Sequence, residues 1–463
     1  MTPADWKGFS ERLTNWGHNE SINSVLITCP NAEDVIGADG SMVSLSAHYR
    51  MTESIATSPE FVWNRTLGYE PPSPQEDQVQ RHRMLGLDPL AIPSSSYDDG
   101  LDGILQLASA MMDPSRKTPI IACPNGFVSD GGLAFFLGQY VLATPETSFR
   151  IDHPTRGLAF DPCGISFVLP RVGLDSSQPT ATKYASTIAK LLALTGLEAD
   201  ACDLIGCGLA THYVDALHNL PLMEAALSEI PAYQHQGLFS KSTRSQGEWW
   251  EEKDLYLKTG RQKEDGRNQR FRNVAVHELL QDVSVGMAGQ DDFLAGPMAP
   301  PQTTKGRERN AFDDEEEMVM GGGMGSTLLN IATTFHPIFE EEKTVYGMME
   351  RLEEIAGSTP SEEMESEVIE VATYLWKGMT KRSPLSLMAM HKLLTLGEHP
   401  ATSMEECMAR EKMVQKNLLH HDDFQNWATA MKKGVSSENY KDWKHSSLKD
   451  VTYDEVEELF HEI

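Results

Sequence analysis

Basic residues are scarce in this 463-residue chain. Lysine and arginine total 39 against 68 aspartates and glutamates, a formal net charge of -29 at pH 7. Proteins that track a phosphate backbone displace counterions with Lys and Arg, so this balance argues against a broad nucleic-acid footprint, and no DNA partner is expected. Long hydrophobic runs are also missing, and no apolar stretch reaches the ~20 residues of a membrane span. The six cysteines form no CxxC pair, and Cys202 and Cys207 have no histidine at zinc-finger spacing. Free thiols in a reducing compartment are the expectation, several of them packed as small hydrophobes. GxSxG, Walker and HExxH sequences are absent, which removes the nucleophile-elbow, P-loop and zincin signatures. His420-His421-Asp422-Asp423 gathers ligand-type residues, but neighbours on a helix point apart, so the run reads as a solvated helix end and not a metal site. No targeting peptide is visible: Thr2-Pro3-Ala4-Asp5 reads as an N-cap with proline at the first helical position, and Trp6, Phe9, Leu13 and Trp16 recur at helical spacing up to Gly17.

What is present is a hydrophobic fraction of 40%, enough for a real core, spread over a length that suggests two or three units. From Trp6 to about Pro231, short strands alternate with helices, the pattern of an α/β layer. Ser24–Thr28 and Met42–Leu45 read as strands, and Asp99–Met112, Lys183–Thr195 and Glu198–Ile205 as helices. Residues 234–325 carry Pro297-Met298-Ala299-Pro300-Pro301, Asp313-Asp314-Glu315-Glu316-Glu317 and Gly321-Gly322-Gly323, which read as an acidic, largely flexible insert with a short helix near Asn273–Leu280. Residues 326–463 read as helical, with amphipathic segments at Phe339–Ile355, Glu362–Met379 and Glu405–Leu419 and a helix start at Ser383-Pro384-Leu385.

The most informative stretch runs from Lys117 to Arg171. A buried strand (Pro119–Ala122) leads through Asn125-Gly126 to a Gly131-Gly132 pair that opens an apolar helix, and a second strand follows at Tyr140–Ala143. Amides at a helix start lack intrahelical acceptors, and glycine lets a ligand approach them. That is the physics of an oxyanion hole, where N–H donors hold charge developing on a carbonyl oxygen.

These residues carry a family pattern. Asn125-Gly126 with Asp130-Gly131-Gly132, then Gly157-Leu158, Phe160-Asp161, Gly164 and Leu169-Pro170-Arg171, resemble the oxyanion loop and the GLFPD…GG…LPR run of the crotonase (enoyl-CoA hydratase/isomerase) superfamily. Leu194-Thr195-Gly196 and Gly208-Leu209-Ala210-Thr211-His212 are similar to elements of its 3-hydroxyisobutyryl-CoA hydrolase branch. So are Ser383-Pro384-Leu385-Ser386-Leu387, Asp423-Phe424 and Trp443-Lys444 near the C-terminus. The resemblance implies an α/β fold: a crotonase-like (ββα spiral) core over 1–233 that binds acyl-CoA and lacks its first hairpin, plus a C-terminal helical region over 326–463. The missing hairpin means either a shortened sequence or an open sheet edge, and an open edge invites a protein partner.

The resemblance also implies an acyl-CoA substrate, no cofactor beyond the coenzyme A of that substrate, and mitochondrial location. It places the thioester oxygen between the amides of Ala47 and Gly131, with Ser46, His48, Asp130 and Gly132 around the substrate. Where the family carries a Pro-Glu-Thr glutamate, this chain reads Asp152-His153-Pro154-Thr155-Arg156-Gly157, and the glutamate is gone. Asp161 matches the family's second acid, and Asp152 or His153 could stand in for the lost one, since an imidazole can act as base near neutral pH. His212 reads as a structural hydrogen-bonding residue. Two functions follow as expectations. One is hydrolysis of a short 3-hydroxyacyl-CoA thioester, as in valine breakdown. The other is a catalytically inactive binding or structural subunit on the same fold, like the hydrolase-like subunits of some mitochondrial ribosomes.

Overall fold

A computed structural model describes residues 3–18, 25–28, 83–85, 97–113, 119–124, 126–145, 147–173, 179–214, 280, 326–359, 366–433, 435 and 440–461. The strand at Met42–Leu45, the amides and side chains of Ser46, Ala47 and His48, Asn125, and all of the acidic insert except Leu280 lie outside the described residues.

Among the described residues, eight short strands form two four-stranded sheets. One runs β1 (Val25–Thr28), β3 (Ile120–Cys123), β5 (Tyr140–Ala143), β8 (His212–Tyr213), and is parallel throughout. The other runs β2 (Arg83–Leu85), β4 (Phe127–Ser129), β6 (Ser148–Arg150), β7 (Ala199–Asp200), with only β7 antiparallel. Successive strands go to different sheets: β3 is followed by β4, and β5 by β6, so each turn of the chain adds one rung to both. Every residue of β3, β4 and β5 is buried, as expected for parallel sheets covered on both faces.

Thirteen α-helices surround the sheets among the described residues: α1 (Pro3–His18), α2 (Tyr97–Met112), α3 (Ile165–Val168), α4 (Pro179–Lys183), α5 (Ala185–Lys190), α6 (Ala201–Gly206), α7 (Thr327–Glu341), α8 (Val345–Ala356), α9 (Ser366–Thr380), α10 (Pro384–Glu398), α11 (Met404–His420), α12 (Asp422–Lys432) and α13 (Tyr453–Glu458). In α2, Leu101, Ile104, Ala108 and Met111 recur on one face and bury it against α1 through Phe9 and Leu13. One hydrophobic cluster runs unbroken from Phe9 to Leu459, so the C-terminal helices share their core with the sheets.

Several boundaries differ from the sequence reading for identifiable reasons. The segment after Gly131-Gly132 is a 3-10 helix (Asp130–Leu137) rather than an α-helix. Lys183–Thr195 is interrupted: α5 ends at Lys190 and a π turn covers Leu191–Thr195, closed by Gly196 at φ 72°. Asp200 caps α6 reciprocally with Asp203, which leaves Glu198 outside that helix. Phe339–Ile355 is two helices: Thr344 accepts from the Gly347 amide and starts α8 anew. In the run His420–Asp423, His420 and Asp422 are exposed as a solvated helix end requires, and only Asp423 departs from that reading. Asp423 is fully buried and accepts from Ser383 Oγ at 2.6 Å and from the Lys444 amide at 2.7 Å, tying α10, α12 and the C-terminal segment together.

Two helices approach the core without side chains between them. A methyl group added at Gly397 would overlap the backbone carbonyl of Ser166, and one at Gly378 that of Thr195. Gly397→Ala is therefore expected to destabilise by about 1–3 kcal/mol through overpacking, seen as a lower urea midpoint at unchanged slope. Gly357→Ala, whose added carbon comes no nearer than 3.4 Å to another atom, serves as the near-neutral control.

Candidate functional site

The site is built around a strained corner. Asp130, where β4 turns into the 3-10 helix, is the only non-glycine among the described residues with positive φ, at 50°. Aspartate tolerates this region better than most residues, and such conformations gather at functional sites. The strain aims its Oδ1 at the turn after β6, where it accepts from the amides of Asp152 (2.8 Å) and His153 (2.9 Å). That satisfies two donors at the start of the turn His153–Arg156, a cap supplied from across the sheet.

His153 sits between two carboxylates. Its Nδ1 lies 2.7 Å from Asp130 Oδ1 and its Nε2 3.3 Å from Asp161 Oδ1, close ion pairs rather than well-aligned hydrogen bonds. All three side chains are buried. Burial alone would push the imidazole down, but Asp130 and Asp161 outweigh it and raise it to about 9. The two carboxylates thus favour the protonated form of the His153 imidazole.

Asp161 is fully enclosed and both its oxygens are engaged. Oδ2 accepts the Gly131 amide at 2.9 Å, and Oδ1 accepts from Gln415 Nε2 at 3.2 Å. The Gly131 N–H proposed for a thioester oxygen is therefore spent on a side chain of the same protein. Gly132 is buried one residue further along the same 3-10 helix. Asp152 takes another course: its carboxylate pairs with Arg150 (Nε–Oδ1, 2.7 Å), and Asp152 and Glu198 hold that guanidinium charged against its burial. The structure so brings Asp130, Gly131, His153 and Asp161 together and turns the Asp152 side chain away from them. His212 opens β8 opposite Leu142 of β5, its Nδ1 2.9 Å from Thr211 Oγ1. Thr211 in turn exchanges hydrogen bonds with the backbone of Val141, so this element pins β8 to the sheet.

Sequence reasoning missed the C-terminal half of the site. Helix α11 sends in Gln415, whose Oε1 accepts the Ala159 amide at 2.9 Å, and Glu411, which accepts from Gly164 N, Ser166 N and Ser166 Oγ, each at 2.7 Å. Arg382 donates to the carbonyls of Ile151 and Ala193, and the Ser383 amide donates to Pro154 O. Residues 151–166 are thus held from outside by four residues of the C-terminal helical region. No local pattern announces contacts about 250 positions apart. The available signal was only that Glu411 and Gln415 fall one helical turn apart on a face that also carries apolar residues. Among the described residues, no group of three or more His, Cys, Asp or Glu is placed to hold a metal ion, and no helix is long and apolar enough to cross a membrane.

Comparison with known proteins gives three results. The family model described as enoyl-CoA hydratase/isomerase matches residues 109–294. A probable 3-hydroxyisobutyryl-CoA hydrolase 2 of Arabidopsis thaliana is 29% identical over 115 residues, 25% of this chain and 27% of that protein. A mitochondrial 3-hydroxyisobutyryl-CoA hydrolase of Gallus gallus is 31% identical over 112 residues, 24% of this chain and 26% of that protein. The chain thus matches about a quarter of the length of these curated relatives. Among solved structures, a carnitinyl-CoA dehydratase from Mycobacterium thermoresistibile superposes with a TM-score of 0.54 at 14% identity, covering 100% of this chain and 90% of that one. At that identity the likeness concerns the fold, which is the ββα spiral expected from the sequence, with helices added at the C-terminal end.

Proposed function

The chain belongs to the crotonase superfamily, on its hydrolase-like branch, and from that premise we propose that it is a crotonase-fold binding or structural subunit whose hydrolytic groups have become a buried clamp. The observation that carries this reading is the 2.9 Å bond from the Gly131 amide to Asp161. Thioester hydrolysis needs a free donor for the oxyanion and a base that water can reach. Here one of the two expected donors, Gly131, is taken, and Asp130 and Asp161 raise the pKa of the imidazole beside it. A water could reach Asp161 only by displacing Gly131, His153 or Gln415. In this reading residues 1–233 and 326–463 form one acyl-CoA-type scaffold interrupted by the acidic insert. Protein partners dock on it. A mitochondrial setting accords with the location in the chicken relative's name.

The alternative is a working 3-hydroxyacyl-CoA hydrolase, favoured by the names of the curated relatives. It requires Asp161 to swing off Gly131 when substrate arrives and then to activate water. Thiol release from 3-hydroxyisobutyryl-CoA, followed with a chromogenic disulfide, separates the two. The expected result is release no faster than the uncatalysed rate, with the native protein sedimenting in a larger assembly. Turnover within tenfold of an ordinary ~10 s⁻¹, abolished by Asp161→Asn, would establish the hydrolase instead.

A further inference from the structure

The three donors on Asp161 form a geometry of their own. The Gly131 amide meets Oδ2, while His153 Nε2 and Gln415 Nε2 both meet Oδ1, at 2.9, 3.3 and 3.2 Å. They come from three separate parts of the chain: the 3-10 helix after β4, the turn after β6, and α11. The amide of Gln415 cannot be reversed without loss, because its oxygen already accepts the Ala159 N–H. Its NH2 therefore faces the carboxylate. The His153 ring is anchored on its other side by Asp130, 2.7 Å from Nδ1, which sets Nε2 against the carboxylate. One backbone amide, one side-chain amide and one imidazole nitrogen converge on a single buried carboxylate.

We propose that Gly131 N–H, His153 Nε2 and Gln415 Nε2 make up a binding site for a small carboxylate, and that Asp161 is its resident intramolecular ligand. The donors are preorganised by neighbours other than Asp161: β4 and the corner at Asp130 hold Gly131, Asp130 holds His153, and Ala159 holds Gln415. Removing the carboxylate should leave a charged, donor-lined space of its own size. Formate matches the group lost in Asp161→Ala. Propionate, two carbons longer, does not fit the space. The inference stands on this geometry alone, and it holds or fails independently of whether any thioester is turned over.

The test is thermal unfolding of full-length Asp161→Ala titrated with sodium formate against sodium chloride at equal ionic strength. Formate at ten times its dissociation constant is expected to raise the midpoint by about 1–2 °C. Chloride, propionate, and formate added to the wild type should each leave it unmoved. Adding Gln415→Leu to Asp161→Ala should weaken formate binding at least fivefold. If Asp161→Ala does not fold unaided, refolding yield with formate becomes the readout, and recovery specific to formate supports the site. Equal responses to formate and chloride, or no folded protein at any formate concentration, would overturn it. Thiol release plays no part in this readout, so a negative result here leaves the functional reading to its own assay.

Discussion

Replacing His153 with leucine is expected to destabilise the protein by about 3–5 kcal/mol, because two buried carboxylates would be left with no cation between them. Asp130 and Asp161 are 2% and 0% exposed, so solvent can screen neither. The same arrangement predicts a pH dependence whose sign can be worked out. The folded-state value of His153, raised to about 9, lies above the 6.5 of a free imidazole. Between those values the folded chain keeps a proton that the unfolded chain has released. The stabilisation is therefore whole below pH 6.5 and is lost as pH rises through 9. The shift corresponds to roughly 3 kcal/mol at most. Urea unfolding at intervals from pH 6 to 10 should show that decline in the wild type, and His153→Leu should lose this part of the slope. A wild-type profile flat across 6.5 to 9.5 would mean the imidazole is neutral in the folded state, and the clamp would not exist as described.

The sequence exposed those features whose cause is local. Helix α2 and strands β3 and β5 were legible because apolar residues repeat at 3.6 or run continuously over four positions. Ser383 was legible as a helix start because proline follows it, and its hydroxyl does accept the Ser386 amide. Gly196 was legible as a stop and takes the left-handed conformation expected of one. The break between α7 and α8 was passed over. Its only mark is the Thr344 cap, and Pro337, a stronger breaker by propensity, sits inside α7. The site was half legible. Glycine spacing and the Phe160-Asp161 pair pointed to the corner where Asp130, Gly131, His153 and Asp161 meet. What each group does there depends on partners that no spacing reveals. Asp130, expected beside substrate, is the anchor of the turn and of His153. His153, offered as a base, lies between two acids that raise its pKa. Gln415 and Glu411 enter from a helix that reads as ordinary amphipathic surface until it is placed against residues 159–166.

Glu411→Ala is the second substitution with a large expected effect, again about 3–5 kcal/mol, for a different reason. Glu411 is fully buried and is the acceptor for two amides and one hydroxyl at the start of α3. Truncation strands three donors where water is excluded, at about 1–3 kcal/mol each and less than additively. Glu411→Gln keeps one acceptor oxygen and the packing, so it should cost less than half as much. The two substitutions also differ with pH. Burial outweighs the three donors and pushes the Glu411 carboxyl up to about 7. Between 4.5 and 7 the folded wild type holds a proton that the unfolded chain has lost, so wild-type stability falls over that range. Glutamine does not titrate. The advantage of wild type over Glu411→Gln should accordingly shrink between pH 5 and pH 8, as measured by urea midpoints at each. A gap that stays constant would mean that the three donors fully offset the desolvation of the charge. Helix α11 would then hold an ordinary ionised carboxylate beside Asp161, and the electrostatics of the whole corner would need to be redrawn.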